Sequence, residues 1–452
     1  MALELETILN PVTVSLAILA VTYVFLFLDK IHRTIISLAG ATAMVLAGKL
    51  LGFYKTLPES PHDSLENTVL GAIDWNTIWL LFGMMVIVGI LEETGIFEYI
   101  AIKLTKLTRG RYWPMMLALG WFTFIASALL DNVTTIIFVS SITVSIASLL
   151  KVNPIPLLIG EAIMSGVGGM ATLVGDPPNI IIGSAAALSF VDFVVYLGTV
   201  AVILGFVTNA VFRWIFRNDI AYQVQTSEDL KELMALDERE ALRDPRTLVK
   251  MLIVFGAVLL LFVLHGKLHL LPSEVAVAGA AAALLWVRPN LVEVLNRTKW
   301  DVLLFFAGLF VIIGGLEAAG ILGAIAGWIG DVVLEYPVLA LLVILWGSAI
   351  LSAIVDNIPF TIALVPILLN LQGMGVDVFP LWWGLAAGVA IGGCATPIGA
   401  SANVYVLSLS ERSGHPIGFR RWLRIGLPTV FVLLVVASAL LYGMYELGWL
   451  RR

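Results

Sequence analysis

Long apolar segments alternate with short polar ones along almost the whole chain. Ten of them are long enough to cross a hydrocarbon core of about 30 Å as helices. In chain order they are residues 11–28, 33–52, 76–94, 156–190, 193–216, 250–266, 272–288, 301–317, 380–411 and 426–446. Two further apolar blocks, 112–150 and 337–370, carry an Asp-Asn pair near their centres. This pattern predicts an all-α polytopic membrane protein.

The two blocks with Asp-Asn pairs are predicted to be re-entrant hairpins, each built from two half-depth helices. The first block reads SALLDNVTT at residues 127–135, and the second reads SAIVDN at 352–357. An ionised carboxylate near the bilayer centre costs about 2.5–3.5 kcal/mol on insertion scales, so two at equivalent places indicate a function. The alternative is two ordinary spans per block. Capping alone is a second alternative for the aspartates, because Asp is a common helix N-cap.

The two halves of the chain repeat each other. WNTIWLLFGMMVIVGILEETGI, from Trp75, aligns without gaps with WDVLLFFAGLFVIIGGLEAAGI, from Trp300, and the Asp-Asn pairs keep the same offset. GGMATLVGDPPN, at 168–179, then aligns with GGCATPIGASAN, at 392–403, after the loss of one residue. Each half crosses the membrane five times if its hairpin is re-entrant and seven times if the hairpin block is two ordinary spans. Both numbers are odd, so the two halves should have opposite orientations in the membrane, as in secondary transporters. The predicted division is 1–216 for the first repeat, 217–249 for a linker and 250–452 for the second repeat.

Composition indicates a lipid environment, and the positions of the basic residues indicate an orientation in the membrane. The chain is 60% hydrophobic and 13% charged, which is typical of a protein built for lipid. If the N-terminus is outside, 21 of the 26 Lys and Arg residues fall in segments predicted to be cytoplasmic, as the positive-inside rule requires. Both termini are then outside and the linker is cytoplasmic, in a bacterial or archaeal plasma (inner) membrane. The acidic MALELET start favours retention of the first apolar segment as a span.

Several other classes of site or protein are disfavoured. No nucleophile–base pair or nucleotide-binding loop marks an enzyme, and nothing resembles a nucleic-acid binder. The single cysteine, Cys394, excludes a disulfide framework and a multi-thiolate metal site. His265 and His269 have i, i+4 spacing, but HGKLHLLP does not read as a helix that could pair them on a metal. No metal or cofactor is expected other than a coupling ion.

Polar residues at the hairpin centres and at two breaks in long helices form the candidate site. A helix broken inside the membrane leaves unpaired N–H and C=O groups that can bind a solute or ion, and such breaks must line a cavity or pack on protein. The predicted solute-binding residues are Asn132, Thr134, Thr135, Thr172, Asn179, Asn357, Thr396, Ser401 and Asn403. The predicted proton- or cation-coupling residues are Asp131, Asp356 and Asp176. The glycines at the breaks are Gly168, Gly175, Gly392 and Gly399.

The remaining polar residues receive weaker interpretations. Asp176 has no acidic counterpart, because Ala400 holds the equivalent position, so its role must be asymmetric. Glu92 and Glu317 are expected to anchor helix ends, and Cys394 to be a small packing residue. No Lys or Arg inside the membrane is expected near the two polar clusters, which disfavours a strongly anionic solute.

These motifs resemble the ion transporter superfamily, in particular its arsenite/antimonite permeases, D-type sodium/proton antiporters and P protein branch. The resemblance covers residues 70 to 445 and is carried mainly by SALLDNVTT, GDPPN and GASAN. It implies a scaffold and a transport part, with a re-entrant hairpin and a broken helix from each half and the solute between the hairpin tips. It also implies frequent homodimers, elevator-like motion and, for some permeases, a cytosolic ATPase partner, although the 217–249 segment shows no docking site for one.

The resemblance and the chemistry together favour proton-coupled efflux of arsenite or antimonite. Arsenous acid is neutral at pH 7 and carries three hydroxyl groups, which suits a site of Asn, Thr and Ser side chains. A sodium/proton antiporter is the first alternative, and a sodium- or proton-coupled transporter of a small anion is the second. A channel or sensor is the alternative from a different class, and a channel would show no solute-linked proton flux.

Overall fold

The computed structural model describes residues 10–28, 30–52, 71–221 and 227–451, so the MALELET start lies outside the described residues. That part of the chain is helical and contains no strand. Nine helices make up its first half. They are α1 Pro11–Leu28, α2 Arg33–Leu51, α3 Trp75–Glu93, α4 Ile96–Leu107, α5 Tyr112–Leu129, α6 Asn132–Leu149, α7 Ile155–Gly169, α8 Pro177–Ala185 and α9 Phe190–Ile215.

The second half has the same order of helices. They are α10 Pro245–Leu268, α11 Pro272–Val287, α12 Trp300–Ala318, α13 Ile321–Glu335, α14 Pro337–Ile354, α15 Asn357–Gly373, α16 Phe379–Gly393, α17 Ser401–Arg412 and α18 Phe419–Glu446. Short helical turns connect the halves and precede α12. They are Arg217–Ala221, Ser227–Ala235, Glu238–Ala241 and Leu291–Arg297.

The structure confirms an all-α membrane protein. Among the described residues, nine helices are long and apolar enough to cross a membrane. The hairpin helices α5, α6, α14 and α15 have 17 or 18 residues, about 26 Å at 1.5 Å per residue. That length also permits a crossing, so their re-entrance stays a prediction. One local prediction was wrong: α10 continues to Leu268 and includes His265, whereas His269 ends it in a left-handed conformation.

Helices from opposite halves pair closely in one group, which we call the frame group: α1–α3 and α10–α12. In this group α2 packs along α12, and α3 packs along α11. Small residues let the backbones approach. A Cβ atom on Gly83 of α3 would lie 2.6 Å from the Ala276 carbonyl carbon of α11, and one on Gly308 of α12 would lie 2.9 Å from the Ser37 carbonyl carbon of α2.

The aligned helices α3 and α12 run antiparallel to each other. Arg297, just before α12, pairs with Glu93 at the last residue of α3 (Nη1–Oε1, 3.2 Å). At the other end, a Cβ atom on Gly314 of α12 would lie 2.5 Å from the Ala72 side chain, just before α3. An inverted repeat requires this antiparallel relation for these two helices. The number of crossings and the orientation in a bilayer stay predictions.

The hairpins and broken helices form a second group, which we call the hairpin group: α5–α9 and α14–α18. The first helix of each hairpin packs on the broken helix of its own half, as α5 on α7 and α14 on α16. The helices beyond the breaks cross over, because α8 packs against α15 and α17 packs against α6. The Tyr405 hydroxyl of α17 lies 3.2 Å from the Ser141 hydroxyl of α6. The halves are therefore interleaved in both groups.

The segment that joins the halves is docked on α4 and α6. Leu233 is fully buried, and the Ser227–Ala235 helix contacts α6. The Lys106 ammonium of α4 donates to Glu238 Oε2 at 2.6 Å and to the Leu236 carbonyl at 2.7 Å. The Arg243 N–H donates to the Thr94 carbonyl at 3.1 Å, which fixes the segment beside the end of α3.

Candidate functional site

The two helix breaks are held by the same hydrogen bonds in each half. The Asn179 amide donates to the Gly169 carbonyl at 3.2 Å and to the Thr172 carbonyl at 2.8 Å. The Asn403 amide, its repeat counterpart, donates to the Gly393 and Thr396 carbonyls at 2.8 and 2.9 Å. These amides satisfy carbonyl groups that the broken helices α7 and α16 leave without helical partners.

Hydroxyl groups fasten each break to the neighbouring hairpin. Thr172 donates to the Ala128 carbonyl and Thr396 to the Ala353 carbonyl, at the last turns of α5 and α14. Ser127 of α5 and Ser352 of α14 donate in the opposite direction, each at 2.8 Å, to carbonyls of α7 and α16. Four of the predicted solute-binding residues therefore use their side-chain hydrogen-bond donors on backbone carbonyls: Thr172, Asn179, Thr396 and Asn403.

The predicted break glycines lie where two backbones meet. A side chain on Gly168 would collide with the Phe124 backbone of α5, and one on Gly392 with the Ala349 backbone of α14. A Cβ atom on Gly399 would lie 2.7 Å from the Gly393 carbonyl oxygen across its own break, and Gly175 makes the corresponding approach to the Gly169 carbonyl. These residues need the absence of a Cβ atom for packing, which explains why both motifs keep glycine there.

The Asp176 carboxyl connects the tips of both hairpins. Its Oδ1 atom accepts from the Asn132 amide at 3.2 Å, and both of its oxygens accept from the Asn357 amide at 3.4 Å. Asp176 is 1% exposed and Asn132 and Asn357 are each 5% exposed. Asn132 begins α6 and Asn357 begins α15, so one carboxyl from the first break contacts the same residue type on both tips. Asp176 belongs to the first half of the chain, and its contact with the second tip was not predicted from the sequence.

The tip aspartates cap their helices and also contact cations. Asp131 accepts from the Thr134 N–H at 2.9 Å and from the Thr134 hydroxyl, and the Lys299 ammonium lies 3.8 Å from its Oδ1 atom. Asp356 accepts from the Ile358 N–H at 3.3 Å and from the Arg33 guanidinium at 2.5 Å. Capping and charge pairing therefore occur together at both tips.

Hydroxyl groups extend both ion pairs. The Ser401 hydroxyl, at the start of α17, donates to Asp356 at 3.1 Å and lies 2.8 Å from Arg33 Nη1. The Lys299 ammonium lies 2.8 Å from the Thr134 hydroxyl oxygen. The prediction that no Lys or Arg lies near the polar clusters was therefore wrong. Arg33 and Lys299 stand at the starts of α2 and α12 and reach the tips through long side chains.

Two cavities reach toward the hairpin tips from opposite ends of the molecule. The first, which we call the tip cavity, has a volume of about 360 Å³ and lies at the end where α2 and α12 begin. Its polar lining consists of His32, Arg33, Thr34, Asp131, Lys299, Asp301 and Ser401. The second, the far cavity, has a volume of about 620 Å³ and lies between α8, α12 and α15 near Asp74 and Glu317. Pro177 of α8 lines the tip cavity, and Ile181 of the same helix lines the far cavity.

Three buried oxygen atoms in the hairpin group lack a hydrogen-bond partner within the described part of the chain: Thr135 Oγ1, Asn179 Oδ1 and Glu161 Oε2. Oxygen atoms of this kind can accept from a donor or contact a hard cation. The other oxygen of Glu161 accepts from the Thr143 hydroxyl at 2.5 Å, in the contact between α6 and α7. Among the described residues, no group of three His, Cys, Asp or Glu side chains is arranged to hold a metal ion.

Comparison with known proteins agrees with a membrane transporter. The sequence profile of the CitMHS family, described as citrate transporter, matches residues 23–388. A 46 kDa membrane protein of Mycobacterium leprae is 35% identical over 97% of this chain and 98% of its own length. An uncharacterized transporter of Mycobacterium tuberculosis (strain ATCC 25618 / H37Rv) is 38% identical over 96% of this chain and 98% of its own length. The human P protein is 30% identical over 97% of this chain, which spans 61% of the P protein.

Solved transporter structures share the fold. The Alcanivorax borkumensis YdaH transporter, reported to have an unusual topology, superposes with a TM-score of 0.61 over 93% of this chain and 99% of its own, at 16% identity. Neisseria gonorrhoeae MtrF, placed in a class of antimetabolite efflux pumps, superposes with a TM-score of 0.55 over 93% of this chain and 96% of its own, at 13% identity. The predicted membership in a transporter superfamily is thus confirmed at that level, without singling out its arsenite permease or sodium/proton antiporter branches.

Proposed function

The chain belongs to the CitMHS citrate transporter family, and from that premise we propose that it is a secondary transporter in which Asp176 binds the coupling proton. The supporting observation is the contact of this one buried carboxyl with both hairpin tips. Any change in the hydrogen bonds of Asp176 affects the first residues of α6 and α15 at the same time. Proton binding and tip position are therefore linked.

The chemistry around Asp176 suits reversible protonation. An ionised carboxylate loses its hydration on burial, and only two amide donors replace the water here. The described contacts of Asp176 include no ion pair with a Lys or Arg side chain. A proton removes the charge and also supplies the carboxyl with a donor, which can then turn toward an oxygen of a tip amide.

A small anionic solute is the favoured cargo. The tip cavity contains two cationic side chains, Arg33 and Lys299, whose present counter-ions are protein carboxylates. A carboxylate of the solute offers the same oxygen pair as Asp356 and can take its place beside Arg33. Citrate, which the family description names, is the first solute to test.

Two other solutes are supported by separate observations. Arsenous or antimonous acid is neutral, and its hydroxyl groups can bond to Asp131 and Ser401 in the tip cavity without displacing a cation. Efflux of these acids in exchange for protons is thus the second candidate. Sodium/proton exchange is the third, because Thr135 Oγ1 and Asn179 Oδ1 are buried oxygens without a described partner.

Reconstitution into proteoliposomes with a luminal pH probe tests the proposal. Citrate, arsenite and Na⁺ are added separately, and proton flux and solute uptake are followed together. The wild-type protein should link proton flux to one solute with saturation, whereas a channel would show neither. Asp176→Asn should keep downhill exchange of that solute but lose proton flux and uphill transport.

The matched control is Asp377→Asn. Asp377 accepts from the Phe379 N–H at 3.0 Å at the start of α16, away from both tips. The Asp377→Asn variant should leave proton coupling unchanged. Proton-driven uptake by Asp176→Asn at the wild-type rate would refute the role of Asp176.

A further inference from the structure

Two ion pairs cross from the frame group to the hairpin tips. Arg33 Nη1 lies 2.5 Å from Asp356 Oδ2, with side chains 30% and 11% exposed. Lys299 Nζ lies 3.8 Å from Asp131 Oδ1, with side chains 29% and 20% exposed. Each pair also includes a hydroxyl group of the hairpin group, Ser401 in the first and Thr134 in the second. Both cations therefore have two partners on the hairpin group.

Each pair joins opposite halves of the chain as well as opposite packing groups. Arg33 begins α2 in the first half and contacts a tip of the second half, whereas Lys299 precedes α12 in the second half and contacts the tip of the first. The starts of α2 and α12 are themselves fixed to each other, because the Thr34 hydroxyl donates to the Asp301 carbonyl at 2.8 Å. Any sliding of the hairpin group along the frame must separate both ion pairs.

At the far end of the frame, the described positions equivalent to Lys299 and Arg33 carry no cation. The repeat counterpart of Lys299 is Asp74, which caps α3 by accepting from the Asn76 and Thr77 N–H groups. α2 begins with Arg33, whereas its repeat counterpart α11 begins with Pro272, which carries no charge. The charged residues that line the far cavity in the described part of the chain are Asp74 and Glu317. Ionised tips would meet carboxylates there instead of cations.

From this asymmetry we propose that Arg33 and Lys299 are positioning residues that hold the hairpin tips at the α2–α12 end of the frame. The hairpin group opens toward the far cavity only when both ion pairs separate. This inference rests on the proposed secondary transport, but it concerns which cavity is open rather than which ion or solute is bound. A solute anion that pairs with Arg33 would release Asp356 and so favour the movement.

Cysteine accessibility measures the position of the hairpin group directly. Val404 of α17 lines the tip cavity, and Ala185 of α8 lines the far cavity, so both reporters move with the hairpin group. Each is changed to cysteine in a Cys394→Ala background, and its rate of reaction with a water-soluble maleimide is measured in vesicles of known orientation. The ratio of the two rates reports which cavity is open.

The expected result is a shift of that ratio toward the far-cavity reporter. Arg33→Gln and Lys299→Gln should each shift the ratio by about two- to five-fold, because the free energy of a partly exposed ion pair corresponds to a factor of this size in an equilibrium. Arg33→Lys should restore most of the wild-type ratio, since it keeps a cation beside Asp356. A merely structural role would change thermal stability or both rates together and would not be rescued in this way.

Arg297→Gln is the matched control. Arg297 precedes Lys299 by two residues and pairs with Glu93 and Glu293, outside the hairpin group. Its loss should leave the ratio unchanged. An unchanged ratio in both Gln variants, or a shift that Arg33→Lys does not restore, would overturn the proposal. Labelling needs neither solute nor proton flux, so a failure of proton coupling at Asp176 would leave this test valid.

Discussion

Replacement of Asn179 by alanine should destabilise the protein through the first helix break. The Asn179 amide is 0% exposed and donates to two carbonyls, those of Gly169 and Thr172. Alanine removes both donors and leaves two buried carbonyl oxygens to find new partners. An unsatisfied buried polar group costs about 1–3 kcal/mol, so we expect a loss of about 2–6 kcal/mol for the two carbonyls. Because the second break has the same bonds, Asn403→Ala should cost a similar amount.

Thermal denaturation in one detergent, with loss of monodisperse protein as the readout, compares the variants. Asn370→Ala is the control, because its amide makes a single bond, to the Pro366 carbonyl at 2.9 Å on a partly buried face of α15. It should lower the midpoint temperature much less than either break variant. If Asn179→Ala and Asn403→Ala denature at the control's temperature, the amides do not hold the breaks and the account of these residues is wrong.

Three further predictions concern packing, pH and thiol chemistry. Gly392→Ala should cost about 1–3 kcal/mol by overpacking against α14, whereas Gly347→Ala, with no atom within 4 Å of the new Cβ atom, should be neutral or slightly stabilising in the same denaturation assay. The hydrogen bond from Lys106 lowers the pKa of Glu238 below its ordinary 4.5, so docking of the linker should hold above that pH and weaken below it. Hydrogen exchange at residues 236–243, corrected for the intrinsic pH dependence, should show this loss of protection, and Lys106→Gln should abolish the pH dependence. The Cys394 thiol is buried, so a water-soluble maleimide should react with it only after denaturation, and fast reaction of the native protein would contradict the packing described.

Most of the helices were predicted from the sequence because their signals were local, whereas α4 and α13 were not predicted. Apolar length located the spans, and Gly, Pro and Asp-Asn pairs located the breaks and the turns between hairpin helices. The repeat offset also matched equivalent bonds, since Thr172 and Asn179 make the same contacts as Thr396 and Asn403. Such contacts lie within one half of the chain, between residues at most 44 positions apart.

The missed features depend on contacts between halves. Asp176 contacts Asn357 only because α8 packs against α15, and no local pattern in the sequence states that pairing. Arg33 and Lys299 were counted among the basic residues of the segments predicted to be cytoplasmic, because each stands at or just before the start of an apolar span. Their long side chains carry the charge to the tips, and no local pattern in the sequence indicates which residues those side chains contact.

Contact of both hairpin tips with Asp176 is the claim that cysteine cross-linking tests. Asn132→Cys and Asn357→Cys are combined in a Cys394→Ala background, with a protease site in the linker so that cleavage separates the halves on a denaturing gel. A short bifunctional thiol reagent should keep most of the cleaved protein joined. The control combines Asn132→Cys with Asn370→Cys. Asn370 lies thirteen residues after Asn357 on α15, about 20 Å along the helix, so the cleaved halves of the control should separate. Separation of the tip pair under the same conditions would contradict the claim.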